Sequence, residues 1–307
     1  MDYRNRLAAT VRAFWDGNGR SIDDQDGRRM AIARATRDLM ARTLRRTAPG
    51  TEDFTKGVTD ALLPRIDEWF LRPQESVSED AFDDWHRKAC EEMLTVLRTF
   101  YTNQDGTAVA YGKAQKIVNM TMKGLYCLEG AWEMEGHFQY CHMALDSFIL
   151  EWFCRQVMPW YNRNEKNKVK LKKTAMVSWS MIPEGSQTVP YGYDTYVRHI
   201  RDYFKSEHPY DGLTPLQAEF FIWSEIQLAI AAESLYGQDI GKEEAIAKAR
   251  EQWDIQWTDV QRGDINKQFD RCKKEFKLRP LEEKVEFLRT RVDQLCRCLN
   301  VSEHVNA

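Results

Sequence analysis

Two stretches in the middle of the chain, residues 113–128 and 143–157, are apolar on too many sides to form surface helices. An ionisable residue lies beside the apolar run of each stretch, Lys116 in the first and Asp146 in the second. Burying an ammonium group without a partner is costly. We therefore expect both stretches to be central helices that pack side by side, with Lys116 and Asp146 meeting in a cleft.

Helical spacing also marks most of the remaining chain, and convincing strand alternation is absent. Residues 79–101 form a clear amphipathic pattern, and Thr214 is the expected cap of a helix that begins at Pro215. The predicted fold class is all-α: a compact multi-helix two-lobed domain with an amphipathic C-terminal helical appendage. We place the catalytic-type domain at 1–240 and the extension packed on it at 241–307.

The extension has its own pattern over residues 278–299, where apolar residues recur at steps of three and four. A helix docked across the main body would give this pattern, and so would a coil for self-association. The first interpretation favours a monomer, and the second a dimer through 278–299.

Composition narrows the class of protein. The 307 residues carry a formal charge of −3, so a nucleic-acid surface must be local rather than global. The seven cysteines include no CxxC pair, which argues against a disulfide framework and against a zinc site made of thiolates. No apolar run is long enough to span a bilayer. We predict a cytoplasmic protein without a membrane segment, a metal site or a cofactor.

A lysine and an aspartate that meet in a cleft have two interpretations. Catalysis at a sugar carbon uses an amine as the nucleophile and a carboxylate to hold developing positive charge. A structural salt bridge uses the same two residue types, and charge placement alone does not separate the two interpretations.

Two short motifs resemble the catalytic centre of the helix-hairpin-helix DNA glycosylase superfamily. In that family, a pattern near Gly-x-Gly-x-Lys-x-Ala leads into a helix, and a later pattern near Val-Pro-x-Asp-x-x-Val begins another. Here Gly112-Lys-Ala-Gln-Lys116-Ile-Val is similar to the first, and Met143-Ala-Leu-Asp146-Ser-Phe-Ile is similar to the second. The usual hairpin, Leu-Pro-Gly-Val-Gly, is replaced by Ala108-Val-Ala-Tyr-Gly112.

The resemblance implies an enzyme that cleaves the N-glycosidic bond of a modified or damaged base in DNA. It implies that Asp146 stays ionised and stabilises an oxocarbenium-like sugar. It also implies that Lys116 attacks the anomeric carbon and leaves a Schiff base that permits strand cleavage. DNA is then the partner, and DNA repair or antiviral defence against foreign modified DNA is the role.

Further candidates would contact the target base or the DNA backbone, although each has a structural alternative as a core residue or a solvated loop residue. The candidates for contact with the base and sugar are Gly112, Asn119, His142, Trp179, Tyr191 and Trp223. The candidates for contact with the phosphates are Lys113, Arg163, Lys166, Lys168 and Lys170.

Two other classes of protein remain open. Arg201 and His208 fit the loose Arg-x(4–6)-His pattern of the all-helical HEPN ribonucleases, in which both residues act on an RNA phosphate. A non-enzymatic interaction protein would instead use residues 278–299 as its partner surface.

Overall fold

The computed structural model describes residues 3–15, 17–39, 44–47, 53–164, 169–185 and 191–236. The chain divides into two compact units, one made of Met1–Trp15 with Trp223–Ala307 and the other of Asp16–Ile222. The predicted extension, 241–307, and its pattern at 278–299 lie outside the described residues. The predicted boundary at residue 240 therefore stays a prediction.

The described residues are mostly helical, which confirms the all-α fold class. In chain order the helices are α1 Tyr3–Phe14, α2 Gln25–Asp38, α3 Phe54–Phe70, α4 Glu79–Phe100, α5 Tyr111–Leu125, α6 Glu135–Phe138, α7 Ser147–Arg155, α8 Val157–Arg163, α9 Tyr193–Glu207, α10 Pro209–Gly212 and α11 Pro215–Tyr236. Two short strands, β1 Leu44–Arg46 and β2 Tyr101–Asn103, pair antiparallel with Leu44 opposite Asn103. None of the described helices is long and apolar enough to cross a membrane.

Helix α5 forms the centre of the larger unit. It packs against α2 and α4, and α3 packs against the same two helices. Almost all of its residues are buried, including the polar side chains of Gln115, Asn119 and Lys123. A helix that is buried on nearly every side matches the prediction from its apolar composition.

Side-chain caps fix the starts of several helices. The Ser78 hydroxyl accepts a hydrogen bond from the Ala81 backbone N–H at the start of α4, which begins and ends within a residue of its predicted limits. Thr214 caps α11 as predicted: its hydroxyl accepts from the Gln217 N–H, and the Gln217 side chain accepts from the Thr214 N–H.

The second central helix differs from its predicted span of 143–157. Residues 141–146 form neither helix nor strand, and α7 begins only at Ser147, directly after Asp146, whose backbone is extended. We call residues 141–146 the extended run. Pro159 does not close this helix, because it lies in the first turn of the next helix, α8, where its missing N–H is tolerated. The reason for the extended run is a set of side chains that bind its backbone, described below.

Candidate active site

The Lys116 ammonium lies near the Asp146 carboxylate, as the sequence predicts. The distance from Lys116 Nζ to Asp146 Oδ2 is 3.9 Å. Their side chains are 12% and 13% exposed, so the pair is partly buried yet still accessible to solvent. This spacing is longer than a direct hydrogen bond, and the two groups attract each other without being locked together.

Asp146 is fixed by its place at the start of α7. Its Oδ1 atom accepts hydrogen bonds from the backbone N–H groups of Phe148, at 2.9 Å, and Ile149, at 3.0 Å. Asp146 is thus the N-cap of the helix, and its other oxygen is the one nearest Lys116. The partial positive charge of the helix N-terminus favours the negative charge of this carboxylate.

An indole ring forms a third part of the site. Lys116 Nζ lies 4.6 Å from the centre of the Trp179 ring, a cation–π contact. Trp179 begins a short turn, Trp179–Met181, which we call the Trp179 turn. Lys116 therefore lies near a carboxylate and an aromatic face, and Trp179, a predicted substrate contact, is the aromatic candidate that the structure brings to Lys116.

Gly112 allows the Trp179 turn to lie close to α5. Its N–H donates to the Ile182 carbonyl oxygen at 2.9 Å. A Cβ atom at position 112 would stand 1.9 Å from the Trp179 carbonyl oxygen, closer than atoms can approach. Gly112 was predicted to contact substrate, but its observed contacts are within the fold: the Trp179 turn, the Ile182 carbonyl oxygen and the Gln115 side chain. Because Gly112 has no side chain, Trp179 can lie close to α5.

Lys113 holds the same turn from inside the protein. Its side chain is only 1% exposed, and Nζ donates to Asn103 Oδ1 at 2.6 Å and to the Ser180 carbonyl oxygen at 3.4 Å. Burial lowers the pKa of Lys113. Lys113 was predicted to contact the DNA backbone; in the fold its ammonium is enclosed and bound to these two oxygen atoms.

The extended run 141–146 lies along α5 and is held by side chains rather than by a neighbouring strand. The Gln115 side chain accepts from the Leu145 N–H at 3.2 Å and donates to the Leu145 carbonyl oxygen at 2.8 Å. One turn along α5, Asn119 Nδ2 donates to the Met143 carbonyl oxygen at 3.0 Å. Buried backbone groups need such partners, so these contacts stabilise a segment that forms neither helix nor strand.

A buried ion pair of Lys123 and Glu219 binds Ala144, the residue between Met143 and Leu145. Glu219 Oε2 accepts from the Ala144 N–H at 2.8 Å, and Glu219 Oε1 binds Lys123 Nζ at the same distance. The two charged side chains are 2% and 1% exposed. Gln115, Asn119 and Lys123 are four residues apart and share one face of α5. We call Gln115, Asn119, Lys123 and Glu219 the backbone clamp.

His142 and Asn119 were predicted to touch substrate, but both belong to a buried hydrogen-bonded network. His142 binds Tyr193 through Nδ1 and Asp83 through Nε2, each at 2.8 Å. Asn119 also binds the Tyr193 hydroxyl at 2.8 Å. Their polar atoms already have partners inside the fold, so a direct role with substrate is not supported by these contacts.

The charges of this network follow from burial. Burial lowers the pKa of His142, although the Asp83 carboxylate opposes that effect. Burial also opposes ionisation of Asp83, but hydrogen bonds from His142 and Arg201 outweigh it and hold the pKa well below its usual value. The ion pair of Asp83 and Arg201 therefore lies directly beside the buried His142 imidazole.

The remaining candidates are scattered. The Tyr191 hydroxyl is bound to the backbone of Lys172, and Lys170 Nζ donates to the carbonyl oxygens of Asn162 and Asn164. Arg163 is exposed at the end of α8. Trp223 lies on the part of α11 that belongs to the other unit. Lys166 and Lys168 lie outside the described residues.

The two residues of the ribonuclease pattern lie in different settings. Arg201 is held by Asp83, with guanidinium-to-carboxylate distances of 2.7 and 2.8 Å, and also by the Tyr140 carbonyl oxygen. His208 is exposed and ends α9 in a left-handed conformation, with φ at 46°. Arg201 thus has structural partners inside its own chain.

Comparison with known proteins finds no relative of this chain. No protein-family model matches the sequence, no curated protein matches it, and no solved structure matches the fold. Function is therefore inferred from the geometry around Lys116 and from the chemistry of these residue types.

Proposed function

We propose that Lys116 and Asp146 form the reacting centre of a DNA N-glycosylase that removes a modified or damaged base. The supporting observation is the 3.9 Å separation between an amine and a helix-capping carboxylate, both partly exposed beside an indole ring. This geometry matches what attack on a sugar carbon requires: a nucleophile, a fixed negative charge and a flat neighbouring surface.

Asp146 supplies the electrostatic part of the reaction. As the bond from the sugar to the base lengthens, positive charge develops on the anomeric carbon and the ring oxygen. The carboxylate is already oriented by two backbone N–H groups, so it needs little rearrangement to face that charge. Its low exposure strengthens the attraction relative to bulk water.

Lys116 supplies the nucleophile. Its amine gives up one proton to solvent, and its lone pair forms a bond to the anomeric carbon. The bond to the base breaks, and the base leaves with the electron pair and takes up a proton. The amine then loses its second proton, and the ring oxygen takes up a proton and the electron pair of its bond to the anomeric carbon as the sugar ring opens. The nitrogen lone pair forms the double bond of a Schiff base, from which the DNA strand can be cleaved.

Trp179 provides a surface for the target base. A base must leave the duplex stack to reach a side chain of this kind, and an indole face compensates for some of the lost stacking. The ring contacts Lys116 Nζ in the protein alone, so an arriving nucleotide would meet the amine and the ring together.

Covalent trapping tests the proposal. DNA oligonucleotides that carry a panel of modified bases would be incubated with the protein and sodium borohydride, which reduces a Schiff base to a stable amine. We expect a protein–DNA adduct with the intact protein and none with Lys116→Met. Lys172→Met is the matched control, because Lys172 is an exposed lysine.

Peptide mapping of the adduct identifies the attachment point. Attachment at Lys116 supports the proposal. An adduct that persists in Lys116→Met, or one that maps to another lysine, would contradict the assignment of the nucleophile. Base release by an Asp146→Asn variant at the intact rate would contradict the assignment of the carboxylate.

A further inference from the structure

The Gln115 side chain binds the backbone of two segments that adjoin the candidate site, at Gly112 and at Leu145. Its buried amide uses every hydrogen bond available to it. Nε2 donates to the carbonyl oxygens of Gly112 and Leu145, each at 2.8 Å. Oε1 accepts from the Leu145 N–H at 3.2 Å and from Asn119 Nδ2 at 3.0 Å.

This pattern fixes the orientation of the amide. A rotation by half a turn would place Oε1 against two carbonyl oxygens and Nε2 against two N–H donors, so four buried hydrogen bonds would be replaced by repulsive contacts. Each hydrogen bond lost in a buried position costs free energy. The side chain is therefore a rigid link between two backbone segments, α5 at Gly112 and the extended run at Leu145.

Both ends of this link, Gly112 and Leu145, adjoin residues of the candidate site. Leu145 directly precedes Asp146, and Gln115 directly precedes Lys116. Gly112, at the other end, is the residue on which the Trp179 turn packs. The rest of the backbone clamp acts farther away, since Asn119 holds Met143 and Glu219 holds Ala144.

We propose that Gln115 is the positioning residue that holds the Asp146 carboxylate at its distance from Lys116. It binds both backbone groups of Leu145, so it sets where the extended run ends and where α7 begins. The catalytic meaning of this role rests on the proposed function, but the positioning itself does not.

A zero-length crosslink measures the positioning directly. A carbodiimide activates a carboxylate, and a neighbouring amine then forms an amide bond while the carbodiimide leaves as a urea with the elements of water. Lys116 and Asp146 are close enough to join, and both are partly exposed. Lys173 and Glu151, 2.6 Å apart, provide an internal control in the same molecule. Both links are quantified by mass spectrometry of peptides.

Two variants change the link in graded ways. Gln115→Met keeps nearly the same length but removes the amide, and Gln115→Asn keeps the amide but shortens the side chain by one methylene. In a folded variant we expect the Lys116–Asp146 crosslink to fall by roughly tenfold, since a displacement of about 1 Å changes intramolecular reaction rates steeply. The Lys173–Glu151 crosslink should stay at the level of the intact protein.

Three results decide the matter. Selective loss of the Lys116–Asp146 crosslink in either variant supports the role. Retention of that crosslink at the intact level would overturn it. Loss of both crosslinks in both variants would overturn it as well, because Gln115 would then hold the whole unit together rather than position Asp146.

Enzymatic activity gives a second measurement, and it separates failure of the proposed function from failure of the proposed role of Gln115. If the intact protein releases a base, Gln115→Asn should lower kcat by about 10-fold to 100-fold with KM little changed, because the side chain is buried and does not touch substrate. If the intact protein releases no base, the proposed function fails, whereas the crosslinking result still decides the role of Gln115.

Discussion

Glu219 Oε1 binds Lys123 Nζ at 2.8 Å, while its Oε2 accepts the Ala144 N–H at the same distance, so one carboxylate joins α11, α5 and the extended run. Both charged side chains are almost completely buried. Glu219→Ala would leave a buried ammonium without its carboxylate, and we expect the free energy of unfolding to fall by about 3–5 kcal/mol. Denaturant unfolding measures the loss.

A paired replacement separates charge from shape. Lys123→Met combined with Glu219→Met removes both charges and keeps the volume, so we expect a smaller loss than in Glu219→Ala. If the double variant is less stable than Glu219→Ala, the Lys123–Glu219 pair stabilises the fold by more than the mutual neutralisation of two buried charges.

Gly112→Ala tests the approach of the Trp179 turn to α5. The added methyl group would collide with the Trp179 carbonyl oxygen, and the turn must move away. We expect a loss of about 1–3 kcal/mol in stability and the loss of most of the borohydride adduct. Gly57→Ala is the control: Gly57 lies in α3, and its new methyl group would meet side chains of α4, with Cε2 of the Phe100 ring at 3.3 Å, rather than a backbone atom. Equal adduct yields in the two variants would show that the position of Trp179 does not matter.

The two tasks of Asp146 can be separated by substitution. Asparagine keeps an oxygen that can cap α7 but removes the charge that faces Lys116, whereas alanine removes both. We expect Asp146→Asn to be within about 0.5 kcal/mol of the intact protein and Asp146→Ala to lose about 1 kcal/mol. Both variants should release no base. Thermal unfolding and a base-release assay on the same samples check this, and equal losses of stability would argue against the cap.

His199 gives a dependence of stability on pH. Burial, with a smaller effect of Arg198, lowers the pKa of His199 to about 4. The imidazole of an unfolded chain has a pKa of about 6.5. As the pH falls from about 6.5 to 4, the unfolded chain takes up a proton that the folded protein does not, and stability is lost by ~3 kcal/mol.

The variant His199→Phe isolates this effect. Its ring can pack against Tyr161, whose ring centre lies 4.4 Å from that of His199, but it does not titrate. We expect its free energy of unfolding to fall less steeply over the same pH range. Parallel curves for the variant and the intact protein would rule out a depressed pKa at His199. His86 and His142, whose pKa values burial also lowers, contribute to both curves.

The placement of charged residues in the sequence predicted that Lys116 and Asp146 meet. The segment before Asp146 and the buried contacts of α5 depend on tertiary contacts that the sequence does not reveal. Lys116 and Asp146 could be expected to meet because each is an ionisable group beside an apolar helix. The extended run could not be expected, because its apolar residues have the composition of a helix while the side chain of Glu219 binds it from far along the chain. The spacing of Gln115, Asn119 and Lys123 on an apolar helix was a signal of buried polar contacts, although it did not identify their partners.

The candidates for base and phosphate contact show a similar limit. Trp179 is predicted to contact the base or sugar, and Lys116 Nζ lies over its ring. Lys113 was chosen for its charge, and the structure encloses it, because a side chain of that length can reach Asn103 and a carbonyl oxygen inside the fold. Residue type alone does not distinguish a surface lysine from one bound internally.

Neighbouring residues of one rigid helix carry the amine and the amide that fixes the carboxylate. When thermal motion displaces α5, Lys116 and Gln115 move as one body, and the hydrogen bonds of Gln115 draw Leu145 and the start of α7 along with them. If Gln115 positions Asp146 as proposed, we expect the spacing between the Lys116 amine and the Asp146 carboxylate to vary less than the position of either group relative to the surrounding solvent. A reacting sugar would meet a pair whose geometry survives the fluctuations of the helix that bears it.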